Sequence, residues 1–109
     1  MPETLLVFEL LIPRRDDRTG LVHPSALFDA WVLETAARFG GITQVATDVR
    51  GLWFDQKDLV QDVSNSYRVA VAPDRTTELR QHVREAARRF GQRCLYFQWS
   101  GEAELVYPE

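Results

Sequence analysis

Apolar and polar positions divide this chain into six segments, arranged as two similar halves. Leu5 to Ile12 is apolar at every position except Glu9, the pattern of a strand covered on both faces. Phe28, Trp31, Val32, Thr35, Ala36 and Phe39 then recur at helical spacing, which predicts a helix with one apolar face. Pro24 suits its first turn, Ser25 supplies a capping hydroxyl, and Gly40-Gly41 stops it. From Ile42 to Arg50, Val45, Thr47 and Val49 alternate with Gln44, Ala46 and Asp48, so a half-buried strand is expected, continuing through a bulge or bend at Gly51 into Leu52-Trp53-Phe54.

Asp55 to Asp58 reads as a polar turn, and Leu59 to Val71 as the returning strand, interrupted around Ser64-Asn65-Ser66. Pro73-Asp74 opens a second helix, with Asp74, Thr76 or Thr77 as its cap and Leu79, Val83, Ala86, Ala87 and Phe90 as its stripe. Gly91 ends it. Cys94 to Trp99 is the last main strand, after which Ser100-Gly101 turns into an Ala103–Tyr107 tail able to pair as an edge.

The halves share more than order. Arg38-Phe39-Gly40 and Arg89-Phe90-Gly91 close the two helices, 51 residues apart. Repetition of a strand–helix–strand unit makes the order β-α-β-β-α-β. That order predicts an α+β fold, a ferredoxin-like two-layer sandwich with an antiparallel sheet and both helices on one face, in a single domain over residues 1–109. The halves also differ. Pro13 to Phe39 spans 26 residues and Pro73 to Phe90 spans 17, so the first half carries nine more, placed in the loop Arg14–Val22.

Composition narrows the setting. The chain has 109 residues, of which 45% are hydrophobic and 27% charged, enough for one core. No apolar run reaches the roughly 20 residues that span a bilayer, and Glu9 interrupts the first apolar run, so neither membrane nor secretion signal is expected. A lone cysteine, Cys94, excludes an internal disulfide and fits a reducing cytoplasm. A net charge of -3 argues against nucleic acid as a dedicated partner.

Candidate chemistry lies in two places. In the extra loop, Arg14, Arg15, Arg18 and the adjoining His23 are candidates for holding an anion, against a plain solvated loop in which Asp16, Asp17 and Glu3 neutralise the arginines. The second place is the sheet face away from the helices. Sorting strand residues by alternation puts Phe8, Leu10, Ile12, Tyr67, Val69, Val71, Leu95, Phe97 and Trp99 under the helices. The remaining face then carries Val7, Glu9, Leu11, Arg68, Ala70, Tyr96 and Gln98, with Trp53 or its neighbours. Such a face is too apolar to be merely wet, and marks an interface or ligand site. Glu9 and Arg68 are expected to pair across strands; as a catalytic alternative they orient a substrate, with Tyr96 as proton donor.

Other chemistry is not called for. His23 and His82 lack ligand spacing and Cys94 stands alone, so no metal or cofactor is expected. Cys94 reads as buried and inert, and His82, one turn after Glu78, as a surface residue. Arg80, Arg84 and Arg88 form a ridge on the second helix with Arg75 and Arg89 nearby, but the third strand Tyr67-Arg68-Val69-Ala70-Val71 lacks an RNA-binding aromatic motif.

Leu11-Ile12-Pro13, Arg38-Phe39-Gly40-Gly41, Gly51-Leu52-Trp53, Tyr67-Arg68-Val69-Ala70-Val71 and Arg89-Phe90-Gly91-Gln92 together give a likeness. The chain resembles small bacterial ferredoxin-like domains of unknown function, which share a helix-end Phe-Gly, a Gly-x-Trp hairpin and a Phe-Gly-Gln before the last strand. The resemblance implies the α/β plait and a bacterial setting, and transfers no catalytic residue. The leading expectation is a self-associating module, a homodimer through its open sheet face or a sheet edge. The alternatives are a dimeric α+β-barrel enzyme or small-ligand binder centred on Glu9, Arg68, Tyr96 and Trp53, and a nucleic-acid or regulatory partner using the Arg ridge.

Overall fold

The computed structural model describes residues 3–108. Strand β1 (Glu3–Pro13) leads to helix α1 (Ser25–Phe39), strands β2 (Thr43–Asp55) and β3 (Asp58–Val71), helix α2 (Thr76–Arg89) and strand β4 (Tyr96–Leu105). The four strands form one antiparallel sheet in the order β2-β3-β1-β4. β1 and β3, the two strands that hold fully buried residues, are therefore central, where each gains ladder partners on both sides.

One face of that sheet holds the core. Phe8, Leu10, Ile12, Tyr67, Val69 and Val71 cluster with Phe28, Trp31 and Phe39 of α1 and with Leu79, Val83, Ala86 and Phe90 from α2 and its end. These residues alternate along each strand and stand opposite one another across the pair, Phe8 to Val69 and Leu10 to Tyr67, so both helices cover a single face. Full burial of each large side chain contributes about 1.5–3 kcal/mol, which makes this layer the main source of stability. Phe97 on β4 extends it, its ring stacked 4.9 Å from Phe8.

Both helices end as their sequence demands. Gly40 takes φ 92° and its N–H donates to Ala36 O at 2.9 Å. Gly91 takes φ 63°, and Gln92 N–H donates back to Ala87 O at 2.8 Å, a glycine-closed helix end. The N-termini differ from expectation. Pro24 occupies the cap of α1 and a 3-10 turn at Pro73–Arg75 leads into α2, with no side-chain cap bond at either.

Several strand details correct the sequence reading. The irregularities of β2 fall between Gln44 and Val49, with Asp48 at φ 57°, while Gly51 pairs regularly with Asp62. An Arg14–Asp48 ion pair at 2.7 Å meets the displaced residue, and the irregularity ends before the glycine. β3 is unbroken: Ser64, Asn65 and Ser66 are buried within it and paired to β1 and β2. Ser100-Gly101 is no turn. It is a bulge in a continuous β4, with Gly101 at φ 105° opposite Val7.

Two side chains also lie elsewhere than expected. Cys94 is exposed. His82 is buried between the helices, because it stands three residues after Leu79 and four before Ala86, on the apolar stripe itself.

Candidate functional site

The antiparallel register of three strands assembles the sheet face away from the helices. Glu9 stands directly opposite Arg68 on β3 and opposite Gln98 on β4. Residues facing one another in an antiparallel pair share a sheet face, so the three polar groups meet at its centre. Arg68 Nη2 lies 3.4 Å from Glu9 Oε1, and Ser100 Oγ donates to Glu9 Oε2 at 3.3 Å. Tyr96, opposite Leu11, donates its hydroxyl to Gln98 Oε1 at 2.8 Å. The Glu9 and Arg68 side chains keep 29% and 49% of their exposure, which leaves the pair open to water.

Apolar ground lies on both sides of this polar centre. Toward the ends of β1 and β4, Leu5, Val7, Thr43, Ala70, Ala103 and Leu105 border a shallow depression of about 530 Å3. Toward the other end, Leu11, Val49, Trp53, Ser64, Arg93 and Tyr96 line a smaller one of about 190 Å3. Trp53 is fixed there by donating its indole N–H to Asp62 Oδ2 at 2.7 Å, with the Arg93 guanidinium 5.9 Å from its ring centre. Arg93 is itself held by Asp55 at 3.0 Å. Trp53 and Tyr96 thus wall one hollow, and Glu9 and Arg68 stand between the two.

The extra loop is organised differently from either sequence reading. The Asp16 carboxylate accepts the N–H groups of Arg18 and Thr19 at 2.7 and 3.0 Å. The bond from Thr19, then that from Arg18, holds its carboxyl below the usual range. Arg15 donates to Gly20 O at 2.8 Å, and Arg14 reaches Asp48. His23 donates Nε2–H to Phe90 O at 2.7 Å and sits edge-on to that ring. Asp17 binds Arg93 N–H, and Gln92 binds Arg15 O. The loop carboxylates therefore satisfy backbone amides, and Glu3 stands at the far end of β1. Arg14, Arg15 and His23 each have a structural partner; Arg14 and Arg15 border one hollow with Val22, and Arg14 and His23 another.

Helix α2 shows a similar division. Arg75 pairs with Glu78 and donates to Arg38 O, and Arg89 pairs with Glu34. Arg80, Arg84 and Arg88 have no carboxylate partner among the described residues.

A buried polar pair, Thr35 with the histidine expected at the surface, lies between the helices. His82 Nε2 is 2.8 Å from Thr35 Oγ1, which donates to Trp31 O at 2.7 Å. The His82 ring stacks on Trp31 at 5.7 Å. Burial, and then the Arg38 guanidinium near Nδ1, push the imidazole below its ordinary pKa. Helical spacing was the available signal, since Thr35 and His82 both stand on apolar stripes. No three His, Cys, Asp or Glu side chains converge among the described residues, and no helix there is long and apolar enough to cross a membrane. Compared with protein-family models, curated proteins and solved structures, the chain matches none.

Proposed function

We propose that this chain is a small interaction module that associates with a second copy through its open sheet face, within a ferredoxin-like arrangement. The topology favours that arrangement. In the order β2-β3-β1-β4, a strand of each half lies between the two strands of the other, the interleaving that defines the split βαβ plait.

The observation that carries the functional reading is the composition of the uncovered face. An ion pair, Glu9–Arg68, sits in the middle of two apolar hollows with exposed Trp53 and Tyr96 beside them. A second layer lying on it buries the apolar ground, and the central charges set orientation. A two-fold axis through the centre brings Glu9 of each copy toward Arg68 of the other, the isologous geometry of most dimers. The hollow walled by Trp53 and Tyr96, with Asp17, Asp62 and Arg93 at its rim, supports a second reading, a small planar ligand held by stacking. Tyr96 has its hydroxyl committed to Gln98, which speaks against the proton-donor role.

Light scattering on the native chain and on Arg68→Ala tests the proposal. The native protein is expected to show a concentration-dependent mass above that of one chain, and Arg68→Ala to weaken it with the fold intact. A strict monomer, or an Arg68→Ala protein that associates as before, sinks the open-face interface.

A further inference from the structure

Helix α2 and strand β4 form a second surface, independent of the open face. Between them runs a groove of about 550 Å3, floored by Val83, Ala87, Leu95 and Phe97 and rimmed by arginines that include Arg80, Arg84, Arg88 and Arg93. β4 is an outer strand of the sheet, so its outer backbone groups have no strand beside them. Its side chains are unusually apolar for an outer edge: Trp99 is 61% exposed, and Tyr96 58%. An uncovered apolar edge is a template for another strand.

The acidic complement is on the same strand. Glu102 stands opposite Leu6 and Glu104 opposite Thr4. Leu6 packs on the core, so both glutamates lie on the helix side of the sheet. They are exposed and, like Arg80, Arg84 and Arg88, make no ion pair among the described residues. Within one copy the two sets are apart along the strand. Phe97 precedes Glu102 and Glu104 by five and seven residues, about 17 and 23 Å of strand.

Antiparallel pairing of two β4 strands about a dyad removes that separation. It lays the Glu102–Glu104 end of one copy beside the Leu95–Trp99 end of the other. The register that sets Glu102 opposite Phe97 also sets Glu104 opposite Leu95, and so lays both glutamates against the partner groove. The spacings agree: residues four apart on a helix advance about 6 Å, and alternate residues of a strand about 6.8 Å. Two glutamates therefore meet two successive arginines of the ridge. The bulge at Ser100-Gly101 falls near the dyad, between the complementary halves and inside neither. The other outer strand, β2, is irregular from Gln44 to Val49 and lacks such a complement.

We infer that a second copy of this chain docks on the β4 edge, extending the sheet to eight strands, with Glu102 and Glu104 of each copy held by Arg84 and Arg88 of the other. The interface does not rest on the open-face reading.

A charge-exchange experiment on the full chain decides it. Two double variants, Glu102→Arg with Glu104→Arg and Arg84→Glu with Arg88→Glu, set like charges against like across the dyad. Each is expected to weaken this association about tenfold or more, with an unchanged circular dichroism spectrum, since all four residues are exposed. Mixing the two restores opposite charges at both ends of the dyad, and the lost mass is expected to return. Wild-type association through this edge weakens with added salt. Arg68→Ala leaves the response to exchange unchanged, which separates this interface from the open face. Variants that keep their native mass, or a mixture that fails to recover it, overturn the inference. So does salt-sensitive nucleic-acid binding by a monomeric wild type, which assigns the ridge to a polyanion.

Discussion

His82 Nε2 lies 2.8 Å from Thr35 Oγ1, across the seam where the two helices meet. Thr35 already donates to Trp31 O, so its oxygen accepts from His82, and the imidazole carries its proton on Nε2. That leaves Nδ1 as the unprotonated nitrogen, 3.3 Å from Arg38 Nη1. The ring is thus matched to its surroundings only when neutral.

This match makes stability depend on pH above the carboxylate range. The folded-state pKa of His82 is lowered by burial and then by Arg38. The unfolded chain therefore takes up the proton first, as pH falls through about 6.5. Stability is complete above that value, declines below it, and levels off under the folded pKa. One group contributes a slope of at most about 1.4 kcal/mol per pH unit. Asp16, Glu34 and Glu78 have lowered pKa values, so their contributions are lost only in stronger acid. Urea midpoints between pH 7.5 and 5.5 should fall for the native chain and fall less for His82→Gln. Parallel curves for the two proteins would remove His82 from the account.

Gly91 joins the end of α2 to the extra loop. At φ 63°, a Cβ added there overlaps the Asp16 carboxylate, while Asp17 N–H donates to Gly91 O at 3.0 Å. Gly91→Ala thus incurs the left-handed penalty of about 1–2 kcal/mol and also displaces the turn that Asp16 organises. Asp16→Ala alone loses the two amide bonds that its carboxylate accepts. In the double variant the overlap is gone, so the two losses should sum to about 1 kcal/mol more than the double variant shows. Additive denaturation midpoints would mean that loop and helix end are not coupled.

Much of this fold was legible in the sequence because burial has a period. A nearly continuous apolar run marks β1, helical stripes mark α1 and α2, and strand parity placed Glu9, Arg68, Tyr96 and Gln98 on one face. Features that depend on pairing were not legible. The irregularity of β2 falls at Asp48, where Arg14 provides a charge from a distant loop, while Gly51 only looked suited to a bulge. His82 follows Glu78 by one turn, a relation that suits a surface residue, while its spacing from Leu79 and Ala86 sets it on the buried stripe. The partners of the loop arginines come from pairing too: Arg15 reaches Gly20 O, and Arg14 reaches Asp48 and Asn65 on β2 and β3.

The β2–β3 hairpin offers a gain in stability. Asp55 pairs with Asp58, leaving Gln56 and Lys57 as the two turn residues, with Gln56 at φ 59°. A positive φ at a residue with a side chain costs about 1 kcal/mol or somewhat more, and glycine removes that strain at a smaller entropic cost. Gln56→Gly is expected to raise stability by about 0.5 kcal/mol with an unchanged denaturant slope. A lower midpoint would show that Gln56 makes a contact worth more than the strain.

Glu9 and Arg68 should separate folding from association. Their pair is longer than an ideal ionic contact and open to water, where such pairs contribute about 0–1 kcal/mol. A double-mutant cycle with Glu9→Gln and Arg68→Ala, read by urea unfolding of the dilute protein, should give a coupling below about 1 kcal/mol. Covering the same charges with a second sheet raises the stakes. Removing one partner then leaves a desolvated charge, a loss of about 2–5 kcal/mol in association. Either single variant should therefore weaken self-association far more than it weakens the fold, and the double variant should recover part of that loss. Equal effects on both measurements would place this pair at the surface of a face that nothing covers.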